Sequence, residues 1–367
     1  MNKRVVPLLL SLALLTGCAS MLNREYIFVE PHHQFSDTGT DPSILRAETY
    51  QGLVNAILYL VSQGLEEGVV RLYNYTRDVE SDLAGACLEV AKEDPLGAYA
   101  VDYIKYDFAR IVSYYEAEVQ ITYRRTPEQI KSVLSVTGSS AIRGELREAL
   151  VRFSPEVILR VSYFAEDEDY IGRLVQEAYY DTPDAAFGMP ETVVALYPDS
   201  GSQRIVELTL TYPDHVESLR EMQKSLAAEA DAWAADVTAQ GGDLPAAIYT
   251  LLRGRVQGEA YAHEGGNTAY AALITGRADS EGLALAFHLL CRLTGGKSCV
   301  VQGTQNGEPC FWNIVSTEDG WRHVSAAWSR FALLADDEIA GAGYAWDAQR
   351  YPACIPAAGS GQTQNSS

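Results

Sequence analysis

Residues 279–328 read DSEGLALAFHLLCRLTGGKSCVVQGTQNGEPCFWNIVSTEDGWRHVSAAW. The opening predicts a helix. Ser280 stands where an N-cap hydroxyl belongs, and Leu283, Ala284, Phe287 and Cys291 recur on one helical face. Further on, His323 and Ser325 are two residues apart, so on a strand they share a face. The stretch has no Cys-x-x-Cys or His-x-x-x-His spacing, and a metal held by Cys310 and His323 would still lack two ligands. No metal and no cofactor are expected.

Three segments carry a resemblance. Asp279-Ser280-Glu281-Gly282-Leu283-Ala284, Gly307-Glu308-Pro309-Cys310-Phe311-Trp312-Asn313 and Trp321-Arg322-His323-Val324-Ser325-Ala326-Ala327-Trp328 follow one another as three motifs do in the transglutaminase-like superfamily. The resemblance is to the bacterial secreted branch of that papain-like fold, covers roughly residues 215–355, and is strongest from Tyr270 to Trp328. It implies that Ser280 takes the place of the nucleophilic Cys, Cys310 that of the basic His, and Ser325 that of the orienting Asp. The framework residues Gly282, Ala284, Trp312, Asn313, Trp321, Val324, Trp328 and the Tyr351-Pro352-x-Cys354 end keep the family pattern. All three catalytic positions depart from it.

That departure removes the chemistry. A thiol at a helix N-terminus reaches the thiolate because its pKa starts near ~8.5 and is lowered by the dipole and an imidazolium; a hydroxyl has no such route. Ser280 needs a base, Cys310 is a poor one, and Ser325 cannot supply a carboxylate's charge. The expectation is therefore a pseudoenzyme, with Ser280 acting as a helix cap. The alternative is a cysteine-dependent acyl transferase or peptidase that uses a displaced Cys310/His323 pair, although the family carries a His at the His323 position beside a complete triad as well. A disulfide from Cys310 to Cys354, or to the Cys291 and Cys299 neighbourhood, is a further alternative that sequence leaves open.

Upstream the chain matches itself. Val69–Thr76 pairs with Val157–Phe164 at an offset of 88, setting Tyr75 over Tyr163, and helical stretches follow at Val79–Lys92 and Asp167–Tyr180, with Glu89 over Glu177 and Pro95 over Pro183. Two strands then end at Glu118-x-x-x-Thr122-Tyr123 and Glu207-x-x-x-Thr211-Tyr212, where the offset is 89. Each βαββ unit follows a predicted helix, Ile44–Leu65 or Gln129–Val151, the second introduced by the capping box at Thr126-Pro127-Glu128-Gln129. Val216–Ala239, with Leu219, Met222, Leu226, Ala230 and Trp233 at helical spacing, predicts another helix that Gly241-Gly242 ends, and Ile248–Val256 a shorter one. Cys87 lies on an apolar stripe with Leu83, Val90 and Ala91 and reads as a small buried hydrophobe.

At the start, Met1-Asn2-Lys3-Arg4 is basic, Val5–Leu15 is apolar but too short to span a bilayer, and Leu15-Thr16-Gly17-Cys18 closes the run. The tetrad resembles a bacterial lipobox. It implies removal of residues 1–17 and a lipid on Cys18 that anchors the chain to the extracytoplasmic face of a membrane. Residues 18–42, including the adjacent His32 and His33, read as a tether with one short strand at Tyr26–Val29, and 357–367 as a disordered tail. Between them come a first α-βαββ unit (43–125), a second (126–214) and the transglutaminase-like domain (215–356).

The 367 residues carry 28 Lys and Arg against 49 Asp and Glu, a net charge of −21. That balance excludes nucleic acid, whose phosphates a partner must neutralise. The class is α+β. The expected role is binding or structural at the cell surface, toward a peptide, protein or cell-wall ligand.

Overall fold

The computed structural model describes residues 42–258 and 265–356. The signal segment, Cys18, the His32/His33 tether with its predicted strand and the C-terminal tail lie outside the described residues. The architecture is mixed α+β, and no described helix is long and apolar enough to cross a membrane.

The first unit runs β1 (Ile44–Ala47), α1 (Tyr50–Gln63), β2 (Glu67–Tyr73), α2 (Val79–Lys92), α3 (Pro95–Ala100), β3 (Val101–Ile111) and β4 (Tyr114–Tyr123). The Thr49 side chain caps α1 by accepting from Gly52 N–H, and Gly64 ends it in the left-handed region at φ 67°. Glycine meets that backbone without steric cost. Leu53, Ile57, Leu60 and Val61 form its buried stripe. Along β2, Val70 and Leu72 alternate into the core under α1 and α2. The strands lie in the order β1-β2-β4-β3, with β1 parallel to β2 and the other pairs antiparallel.

The second unit runs α4 (Pro127–Lys131), β5 (Leu134–Thr137), α5 (Gly138–Arg152), β6 (Glu156–Ser162), α6 (Glu168–Asp181), β7 (Glu191–Tyr197) and β8 (Gln203–Thr211). Its sheet order is β5-β6-β8-β7, with the same pattern of one parallel and two antiparallel pairs. Each sheet therefore contains a strand, at Ile44–Ala47 and at Leu134–Thr137, within a stretch where the sequence predicts a helix. Four residues are too few to display a strand period beside a long helical stripe. The capping box at Thr126 is present, but it opens the five-residue α4 and not the longer α5.

β2 and β6, α2 and α6, and β4 and β8 each start 89 residues apart, one more than the expected offset of 88, while β3 and β7 start 90 apart. Asn74 and Tyr163 both take positive φ, at 52° and 57°, immediately after these strands, and α2 and α6 start 89 residues apart. Tyr75 thus stands over Phe164. Matching the two tyrosines by identity slipped a strand by one residue, which reverses its faces.

The remaining chain forms α7 (Val216–Gln240), α8 (Leu244–Arg255), the short paired strands β9 (Gln257–Gly258) and β10 (Arg277–Ala278), α9 (Ser280–Leu293), β11 (Ser298–Gln305), β12 (Glu308–Thr317), β13 (Gly320–Val324), α10 (Asp336–Gly341) and β14 (Tyr344–Trp346). The sheet order is β13-β12-β11-β14, antiparallel throughout. Period-two alternation along β12 divides its side chains. Phe311 and Val315 join the core beneath α9, while Trp312 and Ile314 face a smaller cluster with Ile339 and Cys354. One continuous core runs from Ile142 in α5 to Ala326, so the second unit and the C-terminal sheet are packed together.

Candidate functional site

Three elements converge at the N-terminus of α9. Asp279, not Ser280, is the N-cap: its side chain accepts from Glu281 N–H and Gly282 N–H at 2.9 and 3.0 Å. Ser280 is the first helical residue, and its Oγ accepts the Phe311 N–H from β12 at 3.2 Å. This first turn passes so near the preceding loop that a Cβ on Gly282 would fall 2.3 Å from the Gly266 carbonyl oxygen. Only glycine permits that approach.

A cavity of about 520 Å³ opens here, and Ser280, Cys310 and Ser325 all line it, joined by Arg253, Glu281 and Tyr344. The three positions singled out in sequence are thus brought together. Their chemistry is muted. Ser325 Oγ accepts from Ala327 N–H at 3.1 Å, a local turn bond. Burial pushes the Cys310 thiol up to about 11. Tyr344 accepts the Trp328 indole N–H at 2.8 Å, and burial raises its phenol.

Glu281 is a half-buried carboxyl of the cavity wall to which the sequence analysis assigns no role. The Tyr180 hydroxyl from α6 donates to it at 3.0 Å, and burial, aided by the Asp279 charge, raises its carboxyl above the ordinary value. Adjacent helical positions do not face one another, so Glu281 is not directed at the Ser280 hydroxyl. Tyr180 also packs on Phe311, with ring centroids 5.7 Å apart. A side chain of the second unit therefore buttresses this wall. Glu281 stands inside the first motif segment but at a position the resemblance gives no role, and Tyr180 belongs to none of the three segments.

His323 does not serve Cys310. It is fully buried on β13 and is not part of the cavity lining. Its Nδ1 accepts the Trp312 indole N–H at 2.9 Å, and its Nε2 lies 2.9 Å from Asp336 Oδ1. Indole can only donate, which fixes the imidazole proton on Nε2, where Asp336 accepts it. Burial lowers the His323 pKa, against the opposing pull of Asp336. Both nitrogens are committed, so the displaced pair expected as an alternative is not formed. Asp336 also accepts Cys354 N–H at 3.1 Å, fastening the C-terminal segment to the sheet.

His323, Asp336 and Cys354 bring ligand-type atoms within 4.8 Å of one another. The proton fixed on Nε2 removes the lone pair a metal would need, so the donor set does not suit an ion. The five described cysteines, Cys87, Cys291, Cys299, Cys310 and Cys354, are free thiols, so the disulfide alternative for Cys310 is not formed either. Cys87 is buried on its α2 stripe, where burial pushes its thiol up to about 12.

No family model and no curated protein matches the chain. Among solved structures it is similar to a TGase at a TM-score of 0.27 and 12% identity, over 47% of this chain and 51% of that one. It is also similar to a "putative protease" from Parabacteroides distasonis at a TM-score of 0.22 and 10% identity, over 71% of this chain and 40% of that one. The chain thus spans about half, or less, of the length of either structure.

Proposed function

We propose that this chain is a lipid-anchored extracytoplasmic protein whose C-terminal region is a catalytically degenerate transglutaminase-like domain, and that the cavity at Ser280, Cys310 and Ser325 binds a ligand without transforming it. One observation carries the reading. The three residues that resemblance sets at nucleophile, base and acid positions line one cavity, yet among the described residues none of them is hydrogen-bonded to a base or a carboxylate. Acyl transfer needs a nucleophile and base within hydrogen-bond reach, and losing all three roles leaves no cooperative unit. The wall mixes Arg253 and Glu281 with Leu283 and Phe311, a lining suited to an extended polar chain such as a peptide or cell-wall fragment.

We further infer that the two N-terminal units are copies of one βαββ module, each with a parallel strand added at its start. Tyr123 donates to the carbonyls of Leu60 and Leu65, and Tyr212, 89 residues on, donates to Ala149 and Ser154, the same two positions 89 residues on. This equivalence supports duplication better than the few sequence identities do.

The test is titration of the purified chain with short peptides and soluble cell-wall fragments, followed by NMR. Saturable shifts at Ser280 and Tyr344, weakened at least fivefold by Arg253→Glu and accompanied by no product, are expected. Product formation, or binding indifferent to Arg253→Glu, contradicts the reading. Fractionation of cells carrying Cys18→Ala checks the anchor: acyl chains contribute about 0.8 kcal/mol per buried CH₂, so the variant should leave the membrane fraction or remain unprocessed.

A further inference from the structure

A second open cavity, of about 530 Å³, lies where α5, α6 and α9 meet, away from the Ser280 cavity. Three arginines line it in a chain whose net charge is −21. Two are held by carboxylates: Arg143 by Glu177 at 3.2 Å and Asp181 at 2.6 Å, and Arg292 by Asp184 at 2.6 Å. Arg350 also reaches Glu177 at 3.4 Å, so Arg143 and Arg350 together balance the two acidic side chains in the lining, and the pairs hold the guanidinium groups in place. Arg147, one turn beyond Arg143, is exposed and has no ion pair or hydrogen bond among the described residues.

The start of the fifteen-residue α5 adds donors to the same wall. Its N-cap Thr137 makes no side-chain cap bond. Ser139 and Ser140 in the first turn, both exposed, line the cavity, and their backbone N–H groups have no acceptor among the described residues. Such a terminus presents partial positive charge and free donors together.

An independent observation comes from α9. His288 is 8% exposed, lines the cavity, and has its Nδ1 engaged 2.8 Å from Ser298 Oγ. Its Nε2 has no hydrogen-bond partner among the described residues. The ring is otherwise enclosed, so this nitrogen is the part of His288 open to the cavity and available to a ligand.

We propose that this cavity binds a small molecule bearing an oxyanion, phosphate or carboxylate, with Arg147 as the principal charge, the first turn of α5 as donor, and His288 as the buried contact. The cavity exceeds the size of the anion alone, so the rest of the molecule occupies the groove. The site spans the second unit and α9. Ser280 lies eight residues before His288 on that helix, about 12 Å along its axis. Occupancy therefore ties the second unit to the helix whose first turn lines the other cavity.

Calorimetric titration of the full chain with inorganic phosphate and, separately, with citrate tests this, at constant ionic strength balanced by chloride. Saturable binding of either anion is expected, and the stronger of the two identifies the group. Arg147→Ala should weaken it at least tenfold, while Arg110→Ala, on exposed β3, should leave it unchanged. The bound anion should also shift the ¹⁵N resonance of His288 Nε2. Absence of saturable binding for both anions, binding that survives Arg147→Ala, or an unmoved His288 resonance at saturation overturns the proposal.

Discussion

The Trp312 indole nitrogen stands 2.9 Å from His323 Nδ1, and because it can only donate, it dictates where the imidazole keeps its proton. The ring is held neutral, with Nε2–H directed at Asp336. ¹⁵N NMR should report the Nε2–H tautomer and no protonation as pH falls through the ordinary histidine value near ~6.5. Trp312→Phe frees Nδ1 to take a proton, so the His323 pKa should rise. A wild-type ring that is Nδ1–H, or charged at pH 6, contradicts the assignment.

Cys310 should behave as a buried thiol. With its pKa pushed up to about 11, the thiolate at pH 7 is on the order of one part in ten thousand. Alkylation by iodoacetamide should be slow at pH 6 to 7 and climb about tenfold per pH unit above that. His323→Ala should not change the rate, since the imidazole does not reach the cavity. Fast labelling at pH 6 that depends on His323 would revive the displaced pair.

Tyr123 and Tyr212 make matching hydroxyl bonds to helix-end carbonyls in the two N-terminal units. Tyr123→Phe and Tyr212→Phe should therefore each destabilise by about 1 kcal/mol, the net worth of one such bond. Thermal unfolding of both variants measures it. A large cost in one and none in the other argues against equivalent modules.

Acid should weaken the fold through His288. Its pKa is lowered to about 4 by burial, with Arg292 and Arg147 adding to the shift and Asp184 opposing it. Above ~6.5 the ring is neutral in both states and contributes nothing; below ~6.5 the unfolded chain gains a proton the folded one does not. Stability should fall from there until about pH 4, by about 3 kcal/mol in all. His288→Gln should flatten that part of the stability curve, measured by denaturant titration at several pH values.

The sequence made α2 and α7 legible because each carries a long apolar stripe with a polar cap or a glycine stop. β1 and β5 were not legible, since their four residues are satisfied by pairing to β2 and β6, contacts that local pattern cannot carry. At the site, the motif spacing brought Ser280, Cys310 and Ser325 to one cavity. The cap assigned to Ser280 belongs to its neighbour Asp279, whose carboxylate reaches two N–H groups and leaves the hydroxyl free to meet Phe311. Asp336, thirteen residues from His323, and Tyr180, in another unit, reach their partners only through the tertiary fold. No spacing rule would have found them.

The central claim is that the Ser280 cavity binds without catalysing. Its most direct test is turnover of peptide and glutamine–amine substrates by the full chain, compared with Ser280→Ala and Cys310→Ala, with intact-mass analysis for acyl adducts. The account predicts no rate above the uncatalysed background in any of the three proteins and no covalent adduct on Ser280 or Cys310. Turnover in the wild type that disappears in either variant would contradict it.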